Sequence, residues 1–476
     1  MTTAIVVGSG PNGLAAAVRL AEAGLDVTVL EADDRIGGGA SSAELTVPGV
    51  IHDLGSGFHP LGVASPFFRD QDLARHGLRY VWPEVQVAHP LDDEPAGLIY
   101  RDVERTASRL GEDADAWRDL FGAFAGHTEH LADDALAALT TIPRHPLLLA
   151  RFGLRAAQPA GLLARRWKTA AARGLWAGCA AHGTTPFSNP LSSAAGLLLA
   201  VAAHSHGWPV AQGGSQSVAD ALVSRLRELG GSVETGVRVT SVDDLPPHDV
   251  LMLDTAPGAA AQILGDRLPG RVRRTYTSWK HGPGSFKIDI AVEGGLPWTD
   301  PDVGRAGTVH LGGTFEEIAY AEREVAAGRL AERPYVLLGQ QSVADPTRAA
   351  GDVHPVWAYA HVPNGWEGTR EEGYELIMRQ IERFAPGARD RVVGRSEHSP
   401  ADLEAWNPNY VGGDIAAGAT GPMQLAMRPR LTPQPWLTGV KGVYLCSAAT
   451  LPGPGVHGMC GQNAAVTALR ALKLPG

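Results

Sequence analysis

At 476 residues, 44% hydrophobic and 19% charged, the chain exceeds the usual size of one core, so two closely joined domains are expected. A net charge of -10 argues against nucleic acid as a partner, and three cysteines (Cys179, Cys446, Cys460) without zinc-type spacing exclude a disulfide framework and suggest no metal. No targeting pattern opens the sequence, and its longest apolar stretch, around Leu191 to Ala203, falls short of the roughly 20 residues that span a bilayer, so a cytoplasmic protein is expected.

Ala4 to Val7 is a continuous apolar run, the pattern of a parallel strand buried on both faces. Asn12 to Ala23 follows as a helix, with Leu14, Val18 and Ala21 at helical spacing, and Asp26 to Glu31 forms the next strand. Between the first strand and the helix stands the loop Gly8-Ser9-Gly10-Pro11-Asn12-Gly13. In such a GxGxxG loop Gly8 permits the tight turn, Gly10 lets the backbone approach a pyrophosphate, and Gly13 allows close helix–strand packing. Pro11 and Asn12 open the helix whose free N–H groups and positive dipole end face the phosphates. Glu31, followed by Ala32, stands where an acid accepts hydrogen bonds from ribose hydroxyls. Next comes Arg35-Ile36-Gly37-Gly38, with Ser41 and Ser42 behind it. Gly37 and Gly38 let the chain pass tightly beside a dinucleotide while Ser41 or Ser42 reaches a phosphate.

Between Asp134 and Asp220 no acidic residue occurs, while Arg144, Arg151, Arg155, Arg165, Arg166, Lys168 and Arg173 fall there beside Leu147-Leu148-Leu149 and Leu162-Leu163. A helical substrate lobe with a solvated basic face is the favoured reading; peripheral contact of segment 140–207 with anionic lipid is the other. Val218 to Leu229 is an amphipathic helix, and strands over Val233 to Val242 and Val250 to Leu253 follow. Ser285 to Glu293 alternates, with Phe286, Ile288, Ile290 and Val292 on one face and Lys287, Asp289 and Ala291 on the other. Val356 to His361 alternates too, grouping Trp357, Tyr359 and His361, which line a substrate cavity or, more in keeping with aromatic strand residues, fill the core. Glu372 to Ala385 is a helix, Gly442 to Ser447 a strand, and Gln462 to Leu472 the last helix. The loop before that helix, Gly453-Pro454-Gly455-Val456-His457-Gly458, is a second GxGxxG. A second nicotinamide unit needs another strand with an acidic end roughly 20 residues later, so this turn is expected to face the reactive ring of the same dinucleotide.

The segment from Arg35 to Ser42 matches the second motif of the glutathione-reductase-like FAD proteins. The pieces GSGPNGLAAA, VLEADDRIGGGASS, VGGDI and YLCSAATLPGPGVHGMCGQNAA resemble the phytoene-desaturase-like flavoproteins (carotenoid dehydrogenases and retinol saturases), relatives of the amine oxidases, and the similarity runs over essentially the whole chain. The resemblance implies non-covalently bound FAD. It also implies an α/β with α+β fold: a discontinuous Rossmann-like FAD-binding domain plus a substrate domain with an antiparallel sheet and helices. Residues 1–75, 212–270 and 405–476 are expected in the first, and residues 76–211 and 271–404 in the second. By position, Val239 would hold the adenine through its backbone, Gly57 and Ser447, Ala448 and Ala449 would lie along the ribityl chain and ring, and Gly455, Val456 and His457 at the ring edge. Gly39 replaces the arginine the family usually carries, and Thr450-Leu451-Pro452-Gly453 departs from its Thr-His-Pro-Gly.

FAD performs the redox chemistry, and the protein must place a C–H bond over the flavin and exclude water. Lys287 is a catalytic candidate, since in related amine oxidases a lysine contacts flavin N5 through water; a structural Lys287–Asp289 pair is the competing reading. His59 and His457 are general-base candidates, each set against a loop histidine satisfied by backbone. Cys460, beside the second glycine loop, is weighed as a redox-active thiol. The leading expectation is hydride transfer between a carbon–carbon bond of a small apolar, isoprenoid or polyene molecule and flavin N5, with oxygen or a quinone as electron acceptor. The alternatives are an amine-oxidase-like C–N dehydrogenase and a flavin-binding scaffold without turnover.

Overall fold

The computed structural model describes residues 2–138 and 140–475, the side chain of Ala426 excepted. The strands in chain order are β1 (Thr3–Val7), β2 (Asp26–Leu30), β3 (Ser42–Glu44), β4 (Ile51–Asp53), β5 (Tyr80–Val81), β6 (Val85–His89), β7 (Gly97–Ile99) and β8 (Val210–Ala211). They continue with β9 (Ser232–Glu234), β10 (Val250–Leu253), β11 (Gly284–Glu293), β12 (Ala306–Leu311), β13 (Val336–Gly339), β14 (Val353–Val362), β15 (Val392–His398) and β16 (Val443–Leu445). The helices used below are α1 (Pro11–Glu22), α2 (Pro146–Ala156), α3 (Ser193–Ala203), α4 (Gln216–Glu228), α5 (Phe315–Ala326), α6 (Arg370–Phe384) and α7 (Met459–Leu472).

The first sheet has the order β16-β10-β1-β2-β9, and every pairing in it is parallel. β10 and β16 are short, apolar and fully buried, as expected of parallel strands covered on both faces, whereas the edge strand β9 is partly exposed. One face packs on α1, α4 and α7 through Leu14, Val18, Leu222, Leu226 and Leu469; the other holds Ile5, Leu251, Leu253 and Leu445. A methyl group on Gly461 of α7 would strike the backbone carbonyl of Asn12, so this glycine sets the close approach of α7 to α1.

The second sheet runs β15-β11-β14-β13-β12-β6-β7. It is antiparallel except for one parallel pair, β6 with β12, where a strand from early in the chain joins from outside the meander. The alternation read over Ser285 to Glu293 is realised in β11. Phe286, Ile288, Ile290 and Val292 enter a core with Ile377 and Ile381 of α6, while Lys287 and Asp289 turn to the opposite face. The expected strand over Val233 to Val242 is confined to Ser232–Glu234. There the chain turns at Gly236, which has a φ of 72°, and the Val237 N–H donates to the Glu31 carbonyl (2.8 Å).

A buried charge cluster ties the segment between β13 and β14 to β4 and β8, which belong to two small two-stranded sheets, β3 with β4 and β5 with β8. Arg348, fully buried after β13, donates from Nη1 to Asp53 Oδ2 of β4 (2.5 Å), from Nε to Asp345 Oδ2 (3.3 Å) and from Nη2 to the Ala211 carbonyl of β8 (2.7 Å). Asp53 Oδ1 accepts from the Ser42 hydroxyl (2.7 Å) and the Ser215 N–H (2.8 Å). Among the described residues no helix is long and apolar enough to cross a membrane.

Candidate dinucleotide and substrate site

One cavity of about 1250 Å³ starts at the C-terminal ends of β1, β2 and β10, where ligands bind in open parallel sheets, and continues to the inner face of the second sheet. That volume exceeds the usual cleft for a single small ligand, leaving room for a dinucleotide and a second molecule.

Gly8, Gly10, Pro11 and Asn12 line its first part. Gly8 has a φ of 99°, which a side chain resists, and the turn it makes aims the N-terminus of α1 into the groove. Gly13 lies behind the wall: a methyl group there would meet the Gly8 carbonyl, and its N–H donates to Asp254 Oδ2 (2.9 Å). Glu31, Ala32 and Arg35 line the next part. Glu31 Oε2 accepts from the Ser9 N–H (2.8 Å) and hydroxyl (2.6 Å), which fixes the carboxylate at the rim. Gly38 and Ser41 line the groove, whereas Gly37 packs against Ala219 of α4. Ser42 turns away as well, its hydroxyl spent on Asp53, which leaves Ser41 as the serine facing the groove. Val239 borders the far end because the chain folds back over Glu31. Gly57, Ser447, Ala448, Gly455 and Val456 line the middle, while Ala449 is buried behind it.

These features fit a dinucleotide. Gly8, Gly10 and Gly13 keep the turn tight against Asp254, the start of α1 lies at the groove, and the buried Asn12 Oδ1 has no partner, an acceptor that a cofactor hydroxyl can satisfy. Residues of the loop Asn407 to Tyr410 cover the groove opposite Gly38 and Gly39, where Asn409 Oδ1 accepts from the Ala256 N–H (2.7 Å).

Asp254, directly after β10, was not singled out from the sequence, although its place at the end of a buried parallel strand is the usable signal. Burial pushes its carboxyl up, the Gly13 N–H pulls it part of the way back, and Glu31 adds to the rise, giving about 7 against an ordinary 3.8. Since the folded value lies above the unfolded one, the stability linked to this group is present below about pH 4 and lost as pH rises to about 7. A pyrophosphate beside it favours the neutral acid. FAD affinity is therefore expected to fall about tenfold per pH unit above about pH 7, and Asp254→Asn to flatten that slope, in fluorescence titrations of the FAD-free protein.

Of the catalytic candidates, His59 and Lys287 line the cavity and His457 does not. His457 accepts the Met459 N–H at Nδ1 (3.0 Å) and lies 3.2 Å from the Gly453 carbonyl at Nε2, so it staples its own loop. Burial pushes its imidazole down to about 4. His59 Nε2 meets Ser215 Oγ at 2.9 Å, and since that hydroxyl donates to the Ser56 carbonyl (2.6 Å), Nε2 carries the hydrogen and Nδ1 keeps a free lone pair. Burial lowers this histidine to about 4 too, which makes it a neutral acceptor. Lys287 combines both readings: its Nζ is paired with buried Asp289, and it borders the cavity.

Past Lys287 the wall turns apolar, with Phe152 of α2, Leu198 of α3, Trp208, Leu337 and the stacked pair Trp357 and Tyr359 (centroids 5.7 Å apart). His361 lies outside it, bonded through Nδ1 to Glu322 of α5 at 2.8 Å. Cys446 and Cys460 are buried, and burial raises both thiols, Cys460 to about 11, so neither is a ready nucleophile.

Comparison with known proteins agrees with this geometry. Residues 6–70 match the family profile described as an NAD(P)-binding Rossmann-like domain. The chain is 26% identical to pyridine nucleotide-disulfide oxidoreductase domain-containing protein 2 of Rattus norvegicus, over 99% of this chain and 94% of that protein. It is likewise 26% identical to the neurosporene-forming phytoene desaturase of Rhodobacter capsulatus, over 97% of this chain and 93% of that one. Among solved structures, an oxidoreductase from Methanosarcina mazei superposes with a TM-score of 0.65 at 15% identity, covering 99% of this chain and 100% of its own. Cyclohexylamine oxidase from Brevibacterium oxydans gives 0.60 at 17% identity, covering 99% of each chain. Together with the glycine-lined groove, these likenesses support an FAD-dependent oxidoreductase similar to the phytoene desaturases.

Proposed function

We propose that this enzyme takes hydrogen from a carbon–carbon bond of an elongated apolar molecule, an isoprenoid or polyene, held in the chamber beyond Lys287. The observation that carries the reading is the apolar wall of Phe152, Leu198, Trp208, Leu337 and Trp357, continuous with the dinucleotide groove. Bound FAD supplies the hydride acceptor. Gly8 to Asn12, Glu31, Ser41, Val239 and Ala448 would hold its dinucleotide, and the glycine turn at Gly455 and Val456 would border its ring. The neighbouring residues orient the chain and keep water away. Residues 1–75, 212–270 and 405–476 form the FAD domain in this reading, and residues 76–211 and 271–404 the substrate domain; Met1, Leu139 and Gly476 lie outside the described residues.

The test is anaerobic mixing of the FAD-loaded protein with a detergent-dispersed polyene and, separately, with an aliphatic amine. The polyene is expected to bleach the flavin more than about tenfold faster. The converse result favours a C–N dehydrogenase, for which the Trp357–Tyr359 stack beside Lys287 is the supporting feature.

An apolar substrate calls for a delivery surface. Phe152 of α2 faces the cavity, while Leu147 and Leu154 of the same helix are 81% and 68% exposed and Ile142 before it 87%. Arg144 and Arg151 are exposed beside them, whereas Arg166, Lys168 and Arg173 are paired with Asp119, Glu112 and Glu316. In the proposed reading this face rests on an anionic bilayer, apolar groups in the acyl boundary and arginines at the headgroups. Leu147→Glu with Leu154→Glu should slow turnover of vesicle-dissolved polyene about tenfold, leaving the detergent-dispersed rate unchanged; equal loss in both assays speaks against the surface.

A further inference from the structure

We propose that Lys287, Asp289 and His398 form a proton path between the cavity and solvent. This rests on reading the cavity as a flavin chamber.

The path follows from sheet register. Lys287 and Asp289 are two apart on β11 and share its inward face, and Lys287 stands directly opposite His398 on the edge strand β15. The Lys287 side chain is 6% exposed, that of Asp289 is closed off, and that of His398 is 27% exposed. Lys287 Nζ donates to Asp289 Oδ2, and His398 Nε2 stands 3.4 Å from that same oxygen. The three groups thus stand in line from the cavity wall to the surface, with the Asp289–His398 approach of 3.4 Å the longest step.

Two neighbours define the route. His52 Nδ1 lies 3.5 Å from Asp289 Oδ1, but this ring has no exposure and its Nε2 is bonded to Thr46 Oγ1 (2.8 Å). Burial lowers His52 to about 4, so this neutral ring, closed off from solvent, offers no second exit. Ser396 Oγ, 3.3 Å from His398 Nε2, keeps the imidazole turned toward Asp289. Burial alone would raise the Asp289 carboxyl, but Lys287, His398 and His52 outweigh it and hold it below the usual range, an anion open to a proton from either side.

Each dehydrogenation that passes a hydride to the flavin leaves one proton behind. Retained in a closed apolar chamber, its charge is costly. Lys287 carries it as an ammonium. An N–H bond of Lys287 breaks as an O–H forms on Asp289; that O–H breaks as an N–H forms on His398 Nε2; and His398 releases a proton from Nδ1 to water. The same path run backwards admits protons when the flavin is reduced without substrate. A purely structural Lys–Asp pair requires no titratable group at its solvent end.

The test needs no substrate. FAD bound to the protein is photoreduced with oxalate as the sacrificial electron donor, which releases carbon dioxide, and a pH-indicator dye times proton uptake from solvent. His398→Gly should slow uptake at least about tenfold, with free imidazole restoring it, and Lys287→Met should slow it without rescue. Wild-type uptake in His398→Gly with slow uptake in Lys287→Met overturns the path while the flavin chamber stands. Wild-type uptake in both variants overturns the path and the chamber reading together. Slow uptake that imidazole does not repair gives His398 a structural role and also overturns the path. If His398→Gly loses FAD, His398→Gln decides, since it keeps the strand but cannot titrate: slow uptake supports the path and wild-type uptake overturns it.

Discussion

Arg348→Met should lower the free energy of unfolding by about 3–5 kcal/mol, read from urea titrations followed by tryptophan fluorescence. The guanidinium is fully buried between Asp53 and Asp345 and also bonds the Ala211 carbonyl, so its removal strands two carboxylates in the interior. Burial alone would raise the Asp53 carboxyl; Arg348, the Ser215 N–H and the Ser42 hydroxyl outweigh it and hold it below its usual range. Because the folded value is the lower one, the stabilisation is present above the unfolded carboxyl's value and lost as pH falls through the folded one. The variant should reverse that trend: with Asp53 unpaired and buried, acidification toward pH 4 neutralises it and recovers part of the loss. Adding Asp53→Asn to Arg348→Met should therefore restore stability at neutral pH, and a double variant no more stable than Arg348→Met alone would assign the loss to packing. Since Ser42 and Ser215 bond the same carboxylate, FAD retention should weaken along with stability.

Gly13→Val should purify without flavin colour, its affinity for added FAD reduced roughly ten- to hundredfold, in line with an overpacking cost of about 1–3 kcal/mol. A side chain at Gly13 collides with the Gly8 carbonyl, which is backbone and cannot swing aside, so either α1 or the turn that ends β1 must move. Either movement breaks the Gly13 N–H bond to Asp254 and withdraws the helix N-terminus from the groove. Secondary structure should survive, because α1 still buries Leu14, Val18 and Leu20 against the first sheet. Full flavin occupancy in Gly13→Val would show that the loop tolerates the shift.

The sequence made the first βαβ unit readable because each signal there is local. The apolar run at Ala4, the glycines at fixed spacing, and Glu31 at the end of β2 lie within one short stretch. The alternation of β11 was readable for the same reason, and Lys287 and Asp289 fell on one face as read. Separating Ser41 from Ser42, or His59 from His457, required tertiary partners. Ser42 is claimed by Asp53 and His457 by the Met459 N–H, and neither partnership leaves a pattern in spacing. Trp357 and Tyr359 border the cavity while His361 does not, although the three alternate identically, because Glu322 of a distant helix captures the histidine. Arg348 carried no sequence signal at all; an arginine in a polar stretch reads as exposed until Asp53 and Asp345 are brought around it.

The strand order of the first sheet has a consequence for biosynthesis. Its centre pairs β1 with β10, and its edge strand β16 and the covering helix α7 follow the whole of the second sheet in the sequence. During most of its emergence from the ribosome, the leading βαβ unit therefore has an unpaired edge at β1 and an apolar helix face at Leu14 and Val18 with no α7 to cover it. Until β10, β16 and α7 follow, that edge and that face stay open, and the groove lacks the wall that Ser447, Ala448, Gly455 and Val456 supply. A dinucleotide then finds its groove only in molecules where these later segments have docked, so cofactor supply acts as a selector of chains that closed correctly.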